Sequence, residues 1–536
     1  MNRQQAFALL QQRIRARSPL APAPLAPVKC LFCNDQAHFR ERATTNLFCG
    51  SQCQQLIYAL GMKRERDDEE EIVVTNDVLQ IIFTMAYREA LYSVEEYEEL
   101  MSLRLVDKQF TYVIDSVVIP RIRFLCGAIL HRITEESLLK FTRLEEFVKE
   151  NVVLGKNIKI STVCQLKWLR KLTLDSIQIS PEIDFSTLEN LEKLTLDHMR
   201  RWYRISNQQV NSMKNLSSIT IIDCEGLSVD CFNGLIKLEK IKLYNGARSG
   251  MVHFRPLNSL KQLKSLVIDD TIKMHDEDIN QLTGLTSISL PGDGRIRQIT
   301  LACLSNFPLL TKLDISDNDA FVNLSRIDLP LLEKLDISDI EDVELDQISH
   351  FHALKSLVME NCSIRFATAD ALVTNFPQLT QISLHGTSTE IYGAGKQLYV
   401  LPETVTTLSV WQATSRILTY TKTNITALFL DRCVEFGDDD LAKHPQLEVL
   451  FINERCEITN DGLSKMTNLK ELCIVGNANY TMDTLIALNL QYLYLKYTLI
   501  KPEAIAEIRK RGVIVFEEYV SFDGIDKLPP RAKQWL

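Results

Sequence analysis

Four cysteines near the front of the chain have the spacing of a metal site. Cys30 and Cys33 are separated by two residues, Cys49 and Cys53 by three, and fifteen residues lie between the pairs. Two close pairs of thiolates make a tetrahedral donor set suited to Zn²⁺, and the short loop between them closes at small entropic cost. Gly50 permits a tight turn after Cys49, and SQCQQLIYALG reads as a helix carrying Cys53. Four protein donors leave the metal no open position, so this zinc is expected to be structural and not catalytic. So short a segment cannot fold on apolar burial alone, and metal binding is expected to stabilise it. His38 could replace one thiolate, and two coincidental pairs of free thiols are the remaining alternative. The pattern Phe48-Cys49-x3-Cys53 resembles treble-clef-like fingers.

Little else in the chain reads as chemistry. There is no P-loop, no G-x-S-x-G and no H-E-x-x-H, and the nine histidines are scattered. A catalytic-thiol ligase would need an activated cysteine, and Cys126 alone lies outside both the four-cysteine segment and the repeats. We therefore expect no enzyme. The formal charge of −9 over 536 residues argues against a protein that coats nucleic acid. No stretch has the length of apolar sequence that spans a membrane. Residues 1–66 hold ten Lys or Arg against three Asp or Glu. Residues 1–28 read as a disordered basic arm ending in a Pro/Ala linker, with a mitochondrial transit peptide as the alternative. Thirteen cysteines without an export signal imply a reducing cytoplasmic or nuclear setting.

Most of the chain repeats. The pattern L-x-x-L-x-x-L-x-L appears first at Leu166, Leu169, Leu172 and Leu174, then at Leu188, Leu191, Leu194 and Leu196. Aligned on its third position, it recurs at 172, 194, 219, 241, 266, 288, 313, 335, 357, 382, 408, 428, 450, 472 and 493, at intervals of 20 to 26 residues. This is a leucine-rich-repeat signature. Its L-x-L step is a short strand with alternate side chains inward, and coils bury their apolar face by stacking. The expected fold is an α/β solenoid of about 15 repeats with a curved parallel sheet. A polar slot three residues past the strand holds Cys224, Thr271, Asn318, Cys362, Thr387, Cys433, Asn477 and Thr498, whose side chains can bond neighbouring backbone. Pro502 opens a closing helix, Gly512 ends it, and a last strand comes next with Ile514 and Phe516 in register.

The domains expected are the arm (1–28), the finger (29–62), a charged linker (63–71), a helical unit (72–125), a helical transition (126–160), the repeats (161–500) and a cap (501–536). Within 72–125, Asp77-Val78-Leu79-x2-Ile82-Phe83 is succeeded by Leu100, Leu103, Leu105, Val106, Lys108 and Phe110. This pattern resembles the F-box, although the usual Leu-Pro opening is replaced by Val74-Thr75 and the stretch Arg88–Glu99 is long and acidic. A plain helical cap on the repeats is the alternative. Together with the finger and the repeats, it is similar to F-box/leucine-rich-repeat proteins such as those encoded by large DNA viruses of amoebae.

The resemblance implies a substrate-recognition subunit of a cullin-type ubiquitin ligase. Val78, Leu79, Ile82, Phe83, Leu103, Leu105, Val106 and Phe110 would face a Skp-type adaptor, while the repeats hold the target. A scaffold unconnected to ubiquitin is the alternative. The target is expected on the concave strand face toward its C-terminal half. There the outward positions turn from Thr173, Asp175, Asp314 and Asp336 to Trp411, Phe429, Phe451, Tyr492 and Tyr494. Exposed aromatic residues in register are typical of protein-binding hot spots.

Overall fold

The computed structural model describes residues 39–40, 47–48 and 90–516. Several loop segments within the last stretch lie outside the described residues, chiefly 92–93, 106–107, 127–132, 149–157, 200–204, 245–256, 293–298, 319–323, 392–399 and 412–423. Cys30, Cys33, Cys49, Cys53, Val78, Leu79, Ile82, Phe83 and Val106 also lie outside them. Between the two cysteine pairs, an antiparallel bridge matches Phe39 with Phe48 and Arg40 with Leu47. The chain divides into two compact units: Met1–Leu238 with Arg248–Gly250, and Glu239–Ala247 with Met251–Leu536.

The first unit is built on a parallel ladder of strands. These are β1 (Ala90–Leu91), β2 (Phe124–Cys126), β3 (Glu146–Val148), β4 (Lys171–Asp175), β5 (Lys193–Asp197) and β6 (Ser218–Ile222). Leu172 sits beside Leu194 and Leu194 beside Ile219, the register that the repeat spacing predicts. Residues 126–160 differ from expectation. They hold β3 and one helix of a single turn, Glu135–Leu138, and a second such helix, Ile160–Val163, starts at their end, so the ladder begins well before residue 161. The reason lies in the sequence. Ile119, Ile122 and Leu125 repeat the 3-3 spacing, as do Phe141, Leu144 and Phe147, with Ile and Phe standing where Leu usually is. An isoleucine or phenylalanine fills such a slot with comparable apolar area.

Helix α1 (Val94–Arg104) and helix α2 (Lys108–Val113) pack within this unit around buried Leu100, Leu103, Phe110 and Val113. Arg104 clamps Asp115 with Nε and a terminal nitrogen, at 2.6 and 2.7 Å. That hydrogen-bonded guanidinium holds the Asp115 carboxyl below its ordinary range. The clamp fixes the turn between α2 and β2.

The second unit continues the motif. Its ladder runs β7 (Lys240–Tyr244), β8 (Ser265–Ile268), β9 (Ser287–Ser289), β10 (Lys312–Asp314), β11 (Lys334–Asp336) and β12 (Ser356–Val358). It goes on through β13 (Gln381–His385), β14 (Thr407–Trp411), β15 (Ala427–Asp431), β16 (Val449–Ile452), β17 (Glu471–Val475), β18 (Tyr492–Lys496) and β19 (Ile514–Phe516). Ile241, Leu266, Ile288, Leu313, Leu335 and Leu357 stand in one lateral row, which continues through Ile382 to Leu493. The sheet is open, and β19 ends it against β18. Three coils carry a further short parallel ladder in their return segments: Val343–Glu344, Ser363–Phe366 and Ser388–Ile391.

The last strand corrects the expected register. Val515, not Ile514 or Phe516, lies beside Leu493; Ile514 is exposed and pairs with Tyr492. A one-residue slip moves a strand's side chains to the opposite face. Gly512, with φ of +88°, fixes where the strand starts after the closing helix.

Polar side chains stitch the coils. In the slot past the strand, Asn318 donates to the Leu290 carbonyl, Cys224 to that of Leu196, Cys362 to that of Ile337 and Cys433 to that of Val410. One residue earlier the backbone turns left-handed, at Ser176, His198, Asp223, Asp317 and Asp339. The amides of Ser176, His198 and Asp317 there donate to the next coil's carbonyl, extending the ladder past the strand proper.

Candidate functional site

On a strand, the residue between two inward side chains points to the other face. In the second unit the register lines these residues into one row: Ser289, Asp314, Asp336, Val358, Ser383, Ser409, Phe429, Phe451, Cys473 and Tyr494. Two chemically distinct surfaces result.

The first is acidic and already organised. Asp314 accepts from the Ser289 hydroxyl at 2.6 Å and from the amide and hydroxyl of Ser316. Asp336 is held in the same way by Ser338, whose hydroxyl lies 2.6 Å away, and Glu360 accepts from Ser383 at 3.0 Å. Burial, and then the neighbouring Asp314 charge, push the Asp336 carboxyl up to about 6. Lys312 and Lys334 pair laterally two residues before this row and are exposed. The surface therefore mixes charges and bonds itself.

The second surface is aromatic. Phe429 and Phe451 are lateral neighbours, with ring centroids 6.3 Å apart and planes tilted by 32°. Tyr494 lies two strands further, and Tyr492 is beside Glu471. The expectation that these rings stand exposed needs correction. Phe429 is 8% exposed and Tyr494 is buried, whereas Phe451 and Tyr492 are half-buried. Strands less than 5 Å apart stack large side chains against each other, so a ring in mid-row is covered by its neighbours. Phe429 and Tyr494 form the floor, and Phe451 and Tyr492 offer reachable edges. Burial, then the Glu471 charge, raises the Tyr494 phenol. Trp411 ends β14 opposite His385 and Asp431.

The expected adaptor residues divide likewise. Leu103 and Phe110 are buried between α1 and α2, so they hold the unit together and are not on its surface. Leu105 is 80% exposed. Cys126 ends β2 opposite Val148. The described repeat cysteines are free thiols. Burial pushes Cys164 and Cys303 up to about 12 and Cys224 and Cys362 up to about 11, which removes them as nucleophiles at neutral pH. Among the described residues, no helix is long and apolar enough to cross a membrane.

Sequence reasoning missed one cluster among the described residues, at the ends of β4 and β5, where Asp175, Asp197 and His198 converge. Its signal was present as a polar residue after each L-x-L step, but only lateral pairing brings the residues together.

The chain matches no protein-family model and no curated protein sequence. Among solved structures it is similar to an internalin of Listeria monocytogenes, at 15% identity over 69% of this chain and 92% of that one, with a TM-score of 0.35. It is also similar to a leucine-rich-repeat protein of Leptospira interrogans, at 17% identity over 64% and 95%, with a TM-score of 0.37. A third similar structure is the Drosophila Toll–Spatzle complex, at 14% identity over 76% of this chain and 55% of that one, with a TM-score of 0.38. By its own strand register and core, the chain folds as an α/β leucine-rich-repeat solenoid.

Proposed function

We propose that this chain is a non-catalytic protein receptor that grips its partner on the strand face of the second unit, over Phe429, Phe451, Tyr492 and Tyr494. The observation supporting this reading is the aromatic row itself, a packed floor with two half-buried edges beside an ordered acidic surface. A preformed apolar patch with a polar margin needs little reorganisation on binding, which favours affinity. The test is affinity purification with mass spectrometry, then a binding measurement with the partner identified. Phe451→Ala with Tyr492→Ala should weaken binding at least about tenfold. Unchanged binding by a well-folded double variant would place the docking face elsewhere.

The finer reading is that the receptor serves a cullin-type ubiquitin ligase, with the F-box-like segment binding a Skp-type adaptor. It is supported by the residue pattern from Asp77 to Phe110 and by the two helices over its second half. In the full chain, Ile82→Asp with Val106→Asp should abolish adaptor capture, and a wild-type chain that captures no adaptor removes this reading. A scaffold unconnected to ubiquitin is favoured by a different observation. Ala90 and Leu91 pair with Phe124 and Leu125, so the segment is built into the repeat ladder as a cap would be.

The finger is proposed to hold one structural Zn²⁺ on Cys30, Cys33, Cys49 and Cys53, a donor set of the right type and number for that ion.

A further inference from the structure

The ends of adjacent strands β4, β5 and β6 deliver four chemistry-bearing groups to a single place in the first unit: Asp175, Asp197 with His198, and Asp223. Asp175 and Asp197 are lateral partners at the strand ends. The next residue in each coil, Ser176, His198 or Asp223, has a left-handed backbone, with φ near +48°. The His198 imidazole ends among three carboxylates. Its Nδ1 is 2.7 Å from Asp197 Oδ1 and 4.0 Å from Asp175 Oδ1; its Nε2 is 4.0 Å from Asp223 Oδ2. Asp175 Oδ1 also accepts from the Ser176 hydroxyl at 2.9 Å.

We propose that Asp175, Asp197 and His198 bind one divalent transition-metal ion, with Asp223 orienting the imidazole from its far side. The three donor atoms lie within 4.8 Å of one another. Bonds of roughly 2.0–2.2 Å to an ion between them would set neighbouring donors about 3 Å apart, so side-chain adjustments of about 1 Å complete the site. Asp223 is the second, separate observation. It is 1% exposed and its carboxylate faces the nitrogen that does not point to the other two aspartates. A histidine ligating through one nitrogen ordinarily donates its other N–H to a carboxylate, which fixes the tautomer and aims the lone pair. Here Asp223 Oδ2 stands 4.0 Å from Nε2, and an approach of about 1 Å would make that bond and hold Nδ1 toward Asp197 and Asp175. Two carboxylates and one imidazole without a thiolate suit ions of the Mn²⁺ to Zn²⁺ group. His198 is half-exposed, so the ion is reached from solvent and retains water. The ion would also add a cross-link to the backbone and side-chain bonds that already join these coils.

The test is Mn²⁺ titration of the full chain by electron paramagnetic resonance, because thiolate sites such as Cys30–Cys53 select softer ions. One tightly bound Mn²⁺ is expected, together with a rise in melting temperature on its addition. Asp175→Asn and His198→Asn should each weaken binding at least about tenfold, and Asp223→Asn about 10- to 100-fold. Asparagine is chosen at 198 because it tolerates the left-handed backbone. A wild-type chain that binds no Mn²⁺ at millimolar concentration overturns the proposal and leaves His198 as a plain ion-pair partner of Asp197. So does unchanged affinity in the Asp175→Asn and His198→Asn variants, each shown to be folded by its metal-free melting curve.

Discussion

A Cβ on Gly462 would overlap the carboxylate of Asp438, one coil earlier. That carboxylate is placed there by its work for the neighbouring coil. Asp438 begins one short helix, Asp438–Leu441, and accepts the Thr459 amide at 2.7 Å and the Thr459 hydroxyl, so it organises the start of the next, Asn460–Ser464. The device recurs. Asp276 holds Thr300, Asn207 holds Ser228, Asn460 holds Thr481 and Glu135 holds Lys159, each across one coil.

Gly462→Ala tests it with an informative sign. In a helix interior, alanine ordinarily stabilises by about 1 kcal/mol relative to glycine. Here it should destabilise by about 1–3 kcal/mol, since the carboxylate must leave its cap. Asp438→Ala alone should also destabilise, while the double variant should be less destabilised than the sum of the two. Additive melting-temperature losses would mean that the two residues do not compete for this space.

His444 gives a prediction about pH. It occupies the first position of its L-x-x-L-x-x-L coil, where Phe307, Phe351 and Phe376 stand in others. It is 1% exposed, and neither ring nitrogen has a hydrogen-bond partner among the described residues. Burial, then the Lys443 charge, holds its pKa below the ordinary 6.5. The folded state therefore takes up a proton less readily than the unfolded chain. Stability is intact above pH 6.5 and falls as pH drops from there toward the folded value, by at most about 1.4 kcal/mol per pH unit from this group. His444→Phe should remove this component from the denaturant midpoint measured against pH, and should raise stability at pH 6.

Thiol reactivity should track burial. At pH 8, Cys164, Cys224, Cys303 and Cys362 should react with an alkylating reagent only at the rate of unfolding or local opening, given their raised pKa values. Cys456 and Cys473 are half-buried and should be modified earlier. Peptide mapping over a time course separates the groups, and early labelling of Cys224 would contradict the placement of its coil.

Removal of zinc should affect the front of the chain selectively. Elemental analysis of the purified protein should find one Zn²⁺, and Cys49→Ser should release it. The main melting transition of the repeats should remain, because each coil is stabilised chiefly by its neighbours. Zinc well below one equivalent in a folded preparation would leave the four thiols without a metal role.

The repeat was determined by the sequence alone. From Leu172 to Leu493 the third-position residues fall into the lateral rows that the spacing predicts, because a period-2 strand recurring every 20 to 26 residues has only one way to stack its apolar side. Asn318, Cys224, Cys362 and Cys433 were legible for the same reason, as short polar side chains at a fixed offset. Only the tertiary structure decided the rest. The coils ending at Leu125 and Phe147 have the spacing but only one leucine each, with Ile or Phe at the other positions, so composition hid them until their strands paired. Val515 took the inward place from Ile514 because neighbouring strand geometry, and not local hydrophobicity, sets the register of an apolar run. Phe429 is covered by residues on adjacent strands, and Asp175, Asp197, His198 and Asp223 meet across three coils. These relationships are lateral. A sequence orders residues along the chain, whereas burial and the convergence of charged groups depend on the side chains of the next strand, about 5 Å away.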